Sequence, residues 1–253
     1  MANEEKLSFM SHLDELRKRL IRCCIAVAIG FGVCYYFSEY LFLHYLAAPL
    51  NAVLPPGSKM IYTSLLEPFM TYIKIGFMGG LLLSSPYLFY QLWKFVAPGL
   101  YQDEKKWIIP FVVSSTCLFI GGALFGYKLV FPVTFKFLAS YSNDYLQLFP
   151  KMSDYFSLTI NLLLAFGLSF ELPIVIFFLA KIGVVTADFL KRKRKYFIIL
   201  AFVAAAIITP TTDPFTQTLM AVPLIFLYEI GIFLARWVGK QKAKKSEVEA
   251  EVE

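Results

Sequence analysis

The chain has 253 residues, 58% hydrophobic and 17% charged, against about 25% charged in ordinary soluble domains. With a mean hydropathy of +0.63, it holds too little polar sequence for a separate soluble domain and is read as one polytopic membrane domain. The net charge of +6 lies beside apolar runs rather than on a polar patch. That argues against a nucleic-acid partner and for an anionic lipid leaflet.

The first predicted element is an amphipathic helix over residues 8–20. Phe9, Leu13, Leu16 and Leu20 recur at helical spacing, with Asp14, Glu15, Arg17 and Lys18 between them. It runs into the first span, and its charge and length do not suit the start of a cleaved signal peptide. Six apolar segments follow: Ile21–Leu43, Pro68–Trp93, Trp107–Phe131, Tyr155–Lys181, Tyr196–Ile208 and Phe215–Trp237. Most reach the length of about 20 residues that a helical span requires. The fifth rises only about 20 Å.

After it, Pro210-Thr211-Thr212-Asp213-Pro214 turns the chain, with Asp213 as the expected N-cap and Pro214 as the first residue of the next helix. Segments five and six either stop short of a full crossing or cross a locally thinned bilayer. The acidic tail, 241–253, is expected to be disordered. No internal repeat of the kind seen in inverted-repeat transporters is visible.

Basic residues set the orientation. One face collects Lys6, Arg17, Lys18, Arg19 and Arg22; Lys94, Lys105 and Lys106; Lys181 and Lys191 to Lys195; and Arg236, Lys240, Lys242, Lys244 and Lys245. The other holds only Lys59, Lys74, Lys128, Lys136 and Lys151. Both termini are therefore expected in the cytoplasm.

Cys23, Cys24, Cys34 and Cys117 show no metal spacing and lie in or beside apolar runs. His12 and His44 are isolated, and neither a phosphate loop nor a nucleophile elbow is present. No metal, no cofactor and no enzymatic chemistry are expected.

The polar groups in apolar surroundings are the candidates for function. Glu171 lies inside the apolar run Leu158–Leu179, two residues before Pro173. A carboxyl group at that depth is costly and marks a functional site, unless it is protonated and bonded to a neighbouring helix. Gly167, one turn earlier, would leave room beside it. Asn161, Gln217 and Thr218 are further polar groups at depth. Gly76-x-x-x-Gly80 and Gly122-x-x-x-Gly126 suit close helix contact, and Pro86, Pro173 and Pro223 interrupt three spans. Glu15 and Glu104 are by periodicity ordinary surface acids beside basic residues.

Several motifs in one order carry a resemblance. They are His12-Leu13-Asp14-Glu15-Leu16-Arg17-Lys18-Arg19-Leu20, Ala48-Pro49-Leu50, Ser85-Pro86, Tyr90-Gln91-Leu92-Trp93-Lys94-Phe95-Val96-Ala97-Pro98-Gly99-Leu100, Phe166 to Pro173, Thr209-Pro210, Asp213 to Gln217, and Tyr228-Glu229-Ile230-Gly231. From Ser11 to about Lys240 the chain resembles the TatC family, the core and receptor subunit of the twin-arginine protein translocase.

The resemblance implies an all-α fold of six membrane helices in a concave glove-like bundle, the fifth and sixth short. It implies recognition of the twin-arginine signal peptide of folded precursor proteins at the cytoplasmic face of the cell membrane, with export driven by the proton-motive force. TatA- and TatB-like single-span proteins are the implied partners, in a multimeric complex. Carried over residue by residue, Glu15, Glu104, Arg17 and Phe95 match the signal-binding positions. Glu171, Gln217, Asp213 and Pro49 match intramembrane or outer positions tied to partner contact.

Two other classes stand beside this one. A secondary transporter would use Glu171 as a proton relay, and a structural scaffold would use none of these acids.

Overall fold

A computed structural model describes the backbone of residues 2–51, 60–96, 108–141, 149–208 and 213–252, and side chains at 10, 12–50, 60–96, 108–141, 149–208 and 213–241. The loop holding Glu104 and the breaker residues 209–212 lie outside these ranges.

The described residues are almost wholly helical. In chain order they form α1 (Ala2–Tyr36), α2 (Ser38–Leu41), a π-helical stretch Phe42–Leu46, α3 (Ala48–Asn51), α4 (Glu67–Val96), α5 (Ile108–Phe125), a second π stretch Gly126–Val130, α6 (Phe131–Ala139), α7 (Met152–Phe170), α8 (Leu172–Lys181), α9 (Ala187–Ile208) and α10 (Pro214–Val252). One isolated bridge pairs Ile61 with Lys151, and no strand occurs among the described residues.

Among the described residues these elements make six long helical columns. Among the described residues, four are long and apolar enough to cross a membrane: His12–Tyr36, Ile108–Ala139, Met152–Lys181 and Pro214–Gln241. The expected amphipathic helix and the first span are one continuous helix, α1. The fifth column begins at Ala187 rather than Tyr196, because the basic run 191–195 winds into the helix ahead of its apolar part.

The tail differs from the expectation of disorder. The backbone of α10 stays helical to Val252. Beyond Lys240 the residues are mainly Lys, Ala and Glu, all strong helix formers, with neither Gly nor Pro to stop the helix.

The chain falls into two compact units. In the first, Met1–Cys117 with Phe149–Phe156, α1 packs along α4. Glycine permits the close approach: a Cβ on Gly80 would lie 2.4 Å from the Phe31 backbone nitrogen, and one on Gly30 would lie 2.7 Å from the Gly80 carbonyl oxygen. Both distances are far below van der Waals contact, so backbone meets backbone there. The core of this unit gathers Phe42, Leu50, Thr71 and Phe156, with the Phe42 and Phe156 rings 5.0 Å apart. The Tyr155 hydroxyl donates to the Leu46 carbonyl at 2.5 Å, at the end of the first π stretch.

Proline inside α4 is accommodated by its neighbour. Pro86 has no N–H for the Leu82 carbonyl one turn back. The Ser85 hydroxyl donates to that carbonyl instead, at 2.8 Å.

The second unit comprises Leu118–Leu148 with Ser157–Glu253, and there α10 packs on α8 and α9. Ile176, Ala180, Leu190, Tyr228, Ile232, Ala235 and Val238 form its buried cluster. Tyr228 stacks on Phe197 at 4.0 Å and donates to the Leu190 carbonyl at 2.9 Å. Arg194 donates to Glu229 at 2.5 Å, so the Tyr228-Glu229 pair ties α10 to α9 through both side chains. A Cβ on Gly122 would lie 2.4 Å from the Phe166 carbonyl oxygen, the second close approach that small-residue spacing suggested.

Candidate functional site

The amino-terminal candidate is built where α1 meets the last turns of α4. Glu15 is partly exposed, its side chain at 38%, whereas Arg19, one turn on, is only 11% exposed. The spacing of four residues puts both on one helix face. Arg19 donates Nε to Glu15 Oε1 at 3.0 Å and adds Nη2 to the same oxygen. Its Nη1 donates to Gln91 Oε1 at 3.1 Å, and Gln91 is buried on α4.

Next to this pair the His12 and Phe95 rings stack at 4.4 Å, tilted by 16°. The stretch Tyr90 to Phe95 thus places several side chains at one end of the unit. Lys94 donates to the Tyr90 hydroxyl at 3.3 Å, and Trp93 donates its indole N–H to the Ser115 hydroxyl at 3.0 Å while stacking on Phe111. The result is a partly solvated carboxylate that already holds a forked guanidinium, beside a stacked aromatic pair. That chemistry suits recognition of an incoming guanidinium.

The predicted residues fare differently. Glu15 and Phe95 are brought to one end of the first unit, on adjoining helices joined by His12 and Gln91. Arg17 is exposed on α1, and Pro49 is half-buried in α3 beside the fully buried Leu50. Glu104 lies outside the described residues.

In the second unit Glu171 occupies the break between α7 and α8, is 9% exposed, and is followed by Pro173 in the first turn of α8. Its carbonyl accepts the Val175 amide at 2.9 Å, so the helix restarts at once. The expected open space at Gly167 is corrected: the ring of Phe119 fills it, 2.8 Å from where a Cβ would stand. The glycine serves helix packing rather than a guest.

Asp213 caps α10 as expected, its Oδ2 accepting the Thr216 amide at 2.7 Å. Gln217 donates Nε2 to the Phe202 carbonyl at 3.0 Å, fastening α10 to α9.

Sequence reasoning missed Glu67. It is buried at the start of α4, where its Oε2 accepts the amides of Thr63 (2.7 Å) and Ser64 (3.2 Å) and its Oε1 accepts the amide of Ser153 (3.1 Å). Burial alone would raise its pKa, but the Thr63, Ser64 and Ser153 donors favour the charged form and bring it down to about 2. Thr63 and Ser64, four and three residues earlier, were the only local signal. Arg19 at the fourth position from Glu15 was legible too, whereas Gln91, 72 residues from Arg19, was not.

The family model described as Sec-independent protein translocase protein (TatC) matches residues 11–223. The chain belongs to the TatC family. Relatives named Sec-independent protein translocase protein TatC are 48% identical in Desulforapulum autotrophicum, covering 98% of this chain and 91% of that protein, and 42% identical in Escherichia coli, covering 97% and 95%. A crystal structure of the twin arginine translocase receptor TatC superposes with a TM-score of 0.81 at 44% identity, covering 90% of this chain and 99% of that one. As a TatC protein, the chain is an all-α polytopic membrane subunit of a protein translocase.

Proposed function

We propose that this TatC protein is the receptor that binds the twin-arginine signal peptide of folded precursor proteins at the cytoplasmic face, with both its termini on that side of the inner or plasma membrane. Glu15 and Glu104 receive the two signal arginines, with Phe95 and Arg17 beside them. Glu171, Gln217, Asp213 and Pro49 belong to the intramembrane and outer surfaces where TatA- and TatB-like single-span proteins assemble into the multimeric complex. The proton-motive force drives export.

One observation carries the reading. Glu15 is an accessible carboxylate that already accepts two N–H bonds from a guanidinium. A carboxylate takes such a fork from arginine and cannot take it from lysine. The test is photo-crosslinking of a twin-arginine signal peptide to the membrane-inserted protein. Crosslinks near Glu15 and Glu104 that fade in Glu15→Ala and Glu104→Ala support the reading; undiminished crosslinks in both variants would reject it.

The transporter alternative, with Glu171 as a proton relay, is not supported. The family and the relatives matched along nearly the whole chain are translocase proteins.

A further inference from the structure

One oxygen of the accepting carboxylate is already occupied. Arg19 puts Nε and Nη2 on Glu15 Oε1 and Nη1 on Gln91 Oε1. Gln91 is 4% exposed, and the Arg19 side chain is 11% exposed against 38% for Glu15. The arginine is therefore the held member of the pair, gripped by two helices, and the carboxylate is the accessible one.

We propose that Arg19, positioned by Gln91, sets the arginine-over-lysine specificity of the site, as an internal guanidinium with which an incoming cation competes at Glu15 Oε1. The proposal rests on the reading of Glu15 as a signal-binding acid.

Three physical points lead to it. The charge of Arg19 offsets that of Glu15, so a bare cation gains little by approaching. A guest that takes Oε1 succeeds only by replacing the two N–H bonds that this oxygen would lose. Arginine offers a planar fork that does this, whereas a lysine ammonium brings the same charge as a single point. Gln91 matters because it keeps an acceptor for Arg19 when Glu15 is taken, so displacement does not strand a buried guanidinium.

The consequence separates affinity from selectivity: Glu15 provides the binding, and Arg19 sets what kind of cation is admitted. An exposed acid without Arg19 would attract lysine and arginine more nearly alike.

The experiment uses the full chain in lipid nanodiscs and two synthetic signal peptides, one with adjacent arginines and one with lysines in their place, with binding followed by fluorescence anisotropy. In Arg19→Gln and Arg19→Lys the lysine peptide is expected to bind about tenfold tighter than to the unaltered protein, with the arginine peptide bound no more weakly. Arg19→Lys keeps the charge, so a shift in that variant reports the lost fork rather than lost charge. Equal weakening of both peptides in Arg19→Lys, or an unchanged ratio between them, would overturn the proposal. Glu15→Gln separates the two levels. Undiminished arginine-peptide binding in that variant rejects the receptor role of Glu15 itself; lost binding there, with the ratio unmoved in Arg19→Lys, rejects only the specificity role.

Discussion

Glu67 accepts the backbone amide of Ser153 at 3.1 Å, joining the first turn of α4 to the first turn of α7 across 86 residues of sequence. The same carboxylate holds the amides of Thr63 and Ser64. One side chain thus fixes the segment ahead of α4 and the entry to α7 together. Lys151, 4.0 Å away, adds a weak ion pair.

Glu67 therefore makes the fold acid-sensitive. Its carboxyl is held at about 2 in the folded protein, against 4.5 when free. On acidification the unfolded chain takes up this proton first, so stability that is fully present above 4.5 is lost as the pH falls toward about 2. In detergent, the melting temperature of the unaltered protein should drop across that window. Glu67→Gln should melt lower at neutral pH and lose the Glu67 share of the acid response, as a comparison of melting curves at pH 7 and pH 3.5 would reveal.

The contact of α1 with α4 predicts contrasting responses at two glycines. Gly80→Ala forces a methyl group against the Phe31 backbone and should cost about 1–3 kcal/mol, as overpacking does. Gly32→Ala, where nothing lies within 4 Å, should be neutral or slightly stabilising. Denaturation of the two purified variants side by side decides the matter; equal losses would mean that α1 and α4 are not in backbone contact.

Ser85 and Pro86 should behave as a coupled pair. Ser85→Ala removes the donor to the Leu82 carbonyl and should cost about 1 kcal/mol. Pro86→Ala restores a backbone N–H for that carbonyl, so adding it to Ser85→Ala should recover much of the loss. Additive destabilisation in a double-mutant cycle would rule the substitution mechanism out.

At the start of α10, Asp213→Ala should destabilise by about 1 kcal/mol, the usual worth of an N-cap. Asp213→Asn keeps an acceptor for the Thr216 amide and should stay close to the unaltered protein in melting temperature. If export fails in Asp213→Asn although stability is kept, the residue has a duty beyond capping.

Local rules explain what could be read from the chain alone. Six apolar segments, the Asp213-Pro214 helix start, the small-residue pairs and the ordered family motifs all depend on residues a turn or a span apart, and hydrophobic length and capping chemistry are written there. Boundaries shifted because charged residues such as Lys191 to Lys195 can continue a helix that apolar counting stops. Only the tertiary structure could decide which distant group meets which: Phe119 in the space beside Gly167, Ser153 on Glu67, and Gln91 on Arg19. Periodicity specifies the face a side chain occupies but not the helix opposite it. The same acid at position 15 is an ordinary surface charge by spacing, and an occupied guanidinium acceptor once α4 is packed against α1.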